Sequence, residues 1–250
     1  MSDTPTATDV WREVDRYLRY CEITECTLIP KPAPAAAPAT TATPMVVGTP
    51  PPAETPARAP TEDPTARLAA IRAELGDCRR CRLCEGRTKL VFGVGNPFAT
   101  LAFVGEGPGA DEDRQGEPFV GRAGQLLNKI IEAMHLQRTD VWIGNVVKCR
   151  PPQNRAPLPD EAATCLPFLR AQLAAIRPQI IVCLGSIATR YVLGDEHLQI
   201  SKVRGHFMPW NGMTVMPTYH PAFLLRNPAM KKPVWEDMQK VMEALHAQST

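Results

Sequence analysis

The chain has 250 residues, 44% of them hydrophobic, and a formal net charge of +2. That length allows one large domain or two small ones. No stretch approaches the roughly 18 apolar residues of a membrane span, and Asp3 and Asp9 stand where the cationic start of a secretory leader would be, so a cytoplasmic, non-membrane protein is expected. The charge is uneven. Residues 1–66 carry 9 acidic and 5 basic side chains, and residues 67–250 carry 17 and 23. A basic body fits a polyanionic partner.

In chain order, residues 8–21 show helical periodicity through Val10, Trp11, Val14, Tyr17, Leu18 and Cys21, with Asp9 as a cap. Residues 30–65 are dominated by Pro, Ala and Thr and bury too little to fold. Three segments follow: a short helical element over 1–29, a disordered linker over 30–65 and a folded body over 66–250. The N-terminal helix is then free to dock on the body or on an unidentified protein.

The body opens with a helix through Leu68, Ile71 and Leu75 that ends at Gly76. Apolar strands then alternate with amphipathic helices. The strands are expected at Leu90–Phe92, Thr100–Val104, Val141–Val147, Ile180–Leu184 and Met213–Pro217. The helices are expected at Ala123–Met134, Asp160–Ile176, Ser186–Leu193 and Val234–His246. This order implies a parallel sheet covered by helices on both faces, with sites where loops leave the C-terminal strand ends. Loops after Val104, Val147 and Thr218 therefore matter most.

The loop after Val104 reads GEGPGADEDRQGEPFVG over residues 105–121. Its glycines, Gly105 and Gly107 among them, allow close backbone approach to a ligand. Glu106 and Glu112 bring charge that a turn does not need, and Phe119 offers a ring that can stack on something flat. The loop after Thr218 holds His220 before Pro221, which keeps the histidine extended at the same sheet edge. Phe223, Leu224 and Arg226 follow. Apolar side chains flanked by cations suit entry into a duplex and a grip on phosphates.

The sequence has 8 cysteines. In a reducing compartment, clustered cysteines read as ligands before disulfides. Cys78 and Cys81 form a CxxC pair, and Cys149 and Cys165 stand 16 positions apart. Together they can close a tetrahedral S4 site for Zn²⁺ or an iron–sulfur cluster. Cys84 competes as a ligand. Cys183 lies in an apolar strand and reads as a core residue.

The segments GEGPGADEDRQGEPFVGRAGQLL, NVVKCRPPQNRAP and YHPAFLLRNP, behind a CxxC, resemble the family 4 uracil-DNA glycosylases over about residues 67–245. The resemblance implies a three-layer α/β/α sandwich with a central four-stranded parallel sheet. It also implies a 4Fe-4S cluster, here on Cys78, Cys81, Cys149 and Cys165. It makes residues 66–250 a uracil-DNA glycosylase domain for base-excision repair, acting as a monomer on single- or double-stranded DNA. Uracil flipped from the stack would lie on Phe119. Asn145 would pair with its O4 and N3–H, and His220 would donate to O2, where negative charge grows. Backbone amides near Glu106 and Gly107 would add to that hole, and Glu106 would steady the oxocarbenium-like sugar or position water. Glu112 would exclude the thymine methyl, and Leu224, beside Arg226, would fill the gap left by the base. The chain departs from family 1 glycosylases, which have Asp where Gly107 stands and Tyr where Gly109 stands. A covalent-trapping variant of the superfamily carries a GEQPG loop and a KRRIH insert. The corresponding residues here are GEGPG and Lys202-Val203-Arg204-Gly205-His206, which favours turnover and leaves His206 as the point of likeness. A non-catalytic uracil-DNA-binding iron–sulfur protein is the other alternative.

Overall fold

A computed structural model describes residues 63–247. The expected helix over residues 8–21, the linker, Cys21 and Cys26 lie outside these residues. The first helix, α1, spans Pro64–Leu75. Asp63 caps it by accepting from the Thr65 backbone N–H at 3.0 Å, and Gly76 ends it at φ +51°, as capping and left-handed C-terminal geometry require.

The sheet has six strands: β1 (Val94–Gly95), β2 (Leu101–Gly105), β3 (Trp142–Asn145), β4 (Ile180–Leu184), β5 (Met208–Trp210) and β6 (Met213–Thr218). Their spatial order is β1-β3-β2-β4-β6-β5. The inner four are parallel, as expected, and the short outer pair are antiparallel edges. The apolar run Leu90–Phe92 is not a strand. The Val91 N–H reaches the Lys148 carbonyl at 2.9 Å, but pairing resumes only at Val94–Gly95.

The remaining helices are α2 (Ala110–Gln115), α3 (Arg122–Ala133), α4 (Pro159–Ile176), α5 (Gly185–Leu193), α6 (Ile200–Val203), α7 (Pro221–Arg226) and α8 (Lys231–Ala247). The two sheet faces bury different sets. Ala102, Val104, Ile181 and Cys183 pack with Leu169 and Leu173 of α4 and Ala188 and Val192 of α5. Leu101, Phe103, Ile180 and Val182 pack with Leu127 and Ile131 of α3 and Met238 and Val241 of α8. The period-2 alternation of each strand feeds both layers, so every inner strand is apolar throughout. Cys183 is fully buried, a core residue as expected. Among the described residues, no helix is long and apolar enough to cross a membrane.

Candidate active site

The C-terminal ends of β2, β3 and β6 deliver the expected residues to one cavity of about 430 Å³, a size typical of a small-molecule site. Glu106, Gly107, Glu112, Phe119, Asn145, His220 and Arg226 all line it. Gly105 stands opposite Asn145 in the β2–β3 register. A Cβ at position 105 would lie 2.5 Å from both Asn145 Oδ1 and the tip of the Phe119 ring. Glycine there is a spatial requirement: it lets an amide and an aromatic ring converge.

Asn145 is 1% exposed, and both of its side-chain polar atoms lack a hydrogen-bond partner. Buried amides are ordinarily satisfied, so this one is built to meet something else. The rings of Phe119 and His220 lie 5.6 Å apart with planes inclined by 31°. His220 caps α7, its Nδ1 accepting from the Ala222 N–H at 3.0 Å. With Nδ1 an acceptor, the neutral ring carries its proton on Nε2, a donor. Burial, with Arg226 close by, lowers the His220 pKa to about 4, so the imidazole is neutral at physiological pH.

Burial also raises the pKa of Glu106, and no hydrogen bond to its carboxylate occurs among the described residues. Glu112 is bound differently. It accepts from the N–H groups of Gly109 at 3.1 Å and of Val120 and Gly121, each at 2.9 Å. It therefore ties the two ends of the loop together as well as lining the cavity. Behind His220, Asp237 of α8 accepts from Thr218 Oγ1 and from Arg204 Nη2, both at 2.6 Å. This fixes the end of β6.

The helix α7 corrects one expectation. Its turn brings Pro221 and Leu224 inward, and Leu224 is 1% exposed. Leu225, one residue on, is 44% exposed. A buried Leu224 cannot fill a gap in DNA from this position. His206 is not among the cavity residues, and its Nδ1 lies 3.0 Å from the Arg204 carbonyl.

Cys78, Cys81, Cys84, Cys149 and Cys165 line a second, smaller cavity with Lys148. Among the described residues, no group of three His, Cys, Asp or Glu side chains converges on one metal-ion position. That disfavours a lone Zn²⁺, which draws its four ligands to a point, and leaves a polynuclear centre as the better fit. Arg80 donates to Cys78 Sγ at 3.4 Å, Arg87 to Cys149 Sγ at 3.2 Å and the Lys148 N–H to Cys165 Sγ at 3.3 Å. The Leu83 backbone N–H lies against Cys81. Cys84 receives no such donor among the described hydrogen bonds. Burial pushes the Cys149 thiol up to about 11, so its thiolate needs a cationic partner.

Sequence reasoning missed the basic residues that brace these sites. Arg87 is nearly buried and joins Cys149 to the Cys78 carbonyl and to Asp77. Arg155 lines the main cavity and pairs through both terminal nitrogens with the fully buried Glu161 at 2.7 and 2.8 Å. Lys148 is 1% exposed, and its ammonium donates to the Asn145 carbonyl at 2.8 Å. Lys148 and Arg155 lay inside the segment NVVKCRPPQNRAP; a charge in a run of strand-like residues was the available signal.

Residues 92–239 match the model of the uracil DNA glycosylase superfamily. The chain is 47% identical to a "Type-4 uracil-DNA glycosylase" of Thermotoga maritima over 166 residues, 65% of this chain and 86% of that protein. The chain belongs to the uracil DNA glycosylase superfamily, in its type-4 branch. A second type-4 member, from Saccharolobus solfataricus, is 46% identical over 186 residues, 71% of this chain and 86% of that protein. A "Type-5 uracil-DNA glycosylase" of Pyrobaculum aerophilum is 30% identical over 172 residues, covering 62% of this chain and 76% of its own length. Type-4 membership agrees with the glycine–acid loop and the cysteine spacing that first pointed to this family.

Proposed function

We propose that this chain excises uracil from DNA by hydrolysing the N-glycosidic bond, leaving an abasic site for base-excision repair. The observation that carries the reading is Asn145: a buried amide with an unused donor and an unused acceptor, beside a ring and a neutral imidazole. Uracil presents O4 as acceptor and N3–H as donor, and cytosine presents the opposite pattern. Phe119 stacks on the flipped base. His220 Nε2–H donates to O2 as the leaving group gains charge, a stabilisation that grows toward the transition state. Backbone amides at Glu106 and Gly107 add to that hole.

Glu106 acts on the other side of the bond. Its carboxylate steadies positive charge on the sugar and orients the attacking water. Glu112 holds the loop as a rigid wall against the 5-methyl group of thymine. Arg155 and Arg226 make the cavity mouth cationic, suited to phosphate. Leu225 replaces Leu224 as the apolar side chain that enters the stack beside Arg226. The position of His206 outside the cavity favours turnover over covalent trapping.

Cys78, Cys81, Cys149 and Cys165 hold a 4Fe-4S cluster. When bound, such a cluster cross-links the α1–β1 segment to α4 and the loop after β3, and metal binding of this kind is coupled to folding. Residues 66–250 form the catalytic domain, which works as a cytoplasmic monomer on uracil-containing DNA.

The test is uracil release from a single-uracil oligonucleotide by the full chain and by a chain beginning at Thr65. Both are expected to cleave, with rates within about tenfold of each other, equal to roughly 1.4 kcal/mol of barrier. No release by either overturns the enzymatic reading. A larger loss in the shorter chain overturns the assignment of activity to residues 66–250.

A further inference from the structure

Phe119 has a backbone φ of +53°. That left-handed conformation is a strained one for a bulky residue and persists only where its surroundings enforce it. The enforcement comes from two sides. Arg138, in the connection between α3 and β3, donates from Nη1 to the Phe119 carbonyl at 3.3 Å and from Nη2 to the Pro118 carbonyl. Nη1 also donates to Asn128 Oδ1 on α3 at 3.1 Å, which anchors the guanidinium to a helix. On the far side, Glu112 takes the next two backbone N–H groups, those of Val120 and Gly121. Gly124 lets α3 close on the turn: a Cβ there would sit 1.9 Å from the Phe119 carbonyl oxygen.

Arg138 is an expensive residue for this place. Burial disfavours its charge, and Glu117 and Glu112 act on it only from a distance. A desolvated guanidinium without a contacting carboxylate must satisfy its donors elsewhere. The acceptors it uses are the two carbonyls flanking the Cα of Phe119. A planar fork reaches two such acceptors at once; an ammonium does not.

We infer that Arg138 is a positioning residue for the base: by holding the peptide groups on either side of Phe119 it sets the plane on which the flipped uracil stacks. This rests on the reading of Phe119 as the stacking platform. Arg138 touches neither base nor sugar.

The test is a double-mutant cycle in the full chain with Phe119→Leu, Arg138→Met and Arg138→Lys. Free uracil, as a product inhibitor of cleavage, is the probe. A uracil-free oligonucleotide reports DNA affinity, and thermal melting reports folding. Phe119→Leu is expected to weaken uracil inhibition about tenfold, in line with the loss of one stacking contact. Arg138→Met is expected to weaken it by roughly fivefold or more with unchanged affinity for uracil-free DNA. The double variant is expected within about twofold of Phe119→Leu alone, because residues acting through one another are not additive. Arg138→Lys keeps the charge but loses the fork, so it is expected to lose uracil inhibition while melting near the parent temperature.

Parental inhibition in Arg138→Met, or additive losses in the double variant, overturns the inference. If Arg138→Met does not fold, Arg138→Lys decides alone, and parental inhibition in that variant overturns the inference. If Phe119→Leu binds uracil like the parent, it is the stacking platform itself that fails.

Discussion

The Phe119 and His220 rings stand 5.6 Å apart at 31°, one from the loop after β2 and the other from the end of β6. Strands that meet this way place a flat apolar surface beside a single N–H donor. A planar base that leaves with negative charge needs both.

His220→Ala is expected to lower single-turnover cleavage by about 10²–10³, the usual loss for one donor to a developing anion. Affinity for DNA should stay nearly intact, since phosphate contacts dominate it. Single-turnover kinetics and a binding isotherm at fixed salt check this. A defect confined to binding would mean that the imidazole does not stabilise the leaving group.

The acid limb of the pH–rate profile should belong to Glu106. Its pKa is raised by burial, while that of His220 is lowered to about 4. As pH falls, a carboxylate of raised pKa takes up its proton early and cleavage declines, with the imidazole still neutral. Glu106→Gln is expected to reduce cleavage about 10²-fold or more and to flatten that limb. The same change should raise the melting temperature at pH 7. A carboxylate whose folded pKa lies above its unfolded value opposes folding once both states are ionised, and glutamine removes that cost. Kinetics from pH 4 to 8 and melting curves at pH 7 check the two halves separately.

Asn145→Asp is expected to relax discrimination between uracil and cytosine. The carboxylate can accept from the exocyclic amine of cytosine, which the amide N–H of Asn145 opposes. Cleavage of paired oligonucleotides that differ only at the target base measures the ratio. An unchanged ratio would mean that base choice is made elsewhere in the pocket.

Replacing Cys78, Cys81, Cys149 or Cys165 by Ser should lower iron content, bleach the visible absorbance and destabilise the body, whereas Cys84→Ser should change none of these. Iron analysis and absorbance spectra of the five variants check the ligand set. Loss of iron in Cys84→Ser with retention in Cys78→Ser would reverse the assignment.

Much of the architecture was legible because inner parallel strands are apolar on both faces and announce themselves as runs. Leu101–Gly105 and Ile180–Leu184 are such runs. The edges were less legible. Val94–Gly95 has two residues and no apolar signature, whereas the apolar run Leu90–Phe92 makes one backbone bond to the Lys148 carbonyl and then leaves the sheet. The helix Ala110–Gln115 was read as loop because its first turn is acidic and only Asp113 is buried. Leu224 was chosen as the DNA-entering residue by its place in a motif. Helical phase decides which of two adjacent leucines faces out, and the motif does not carry that phase. Arg138 carries no local signal at all: its carbonyl partners lie 19 and 20 positions earlier in the chain.

The unpartnered amide of Asn145 also makes pocket occupancy a thermodynamic variable of the whole fold. Each buried polar atom left without a partner costs about 1–3 kcal/mol, and a base that supplies one acceptor and one donor removes that debt in the native state alone. Free uracil should therefore shift the unfolding equilibrium by linkage, with a melting temperature that climbs with the logarithm of its concentration. In calorimetry the empty enzyme is then the less stable form, and product release returns it to that state after every turnover.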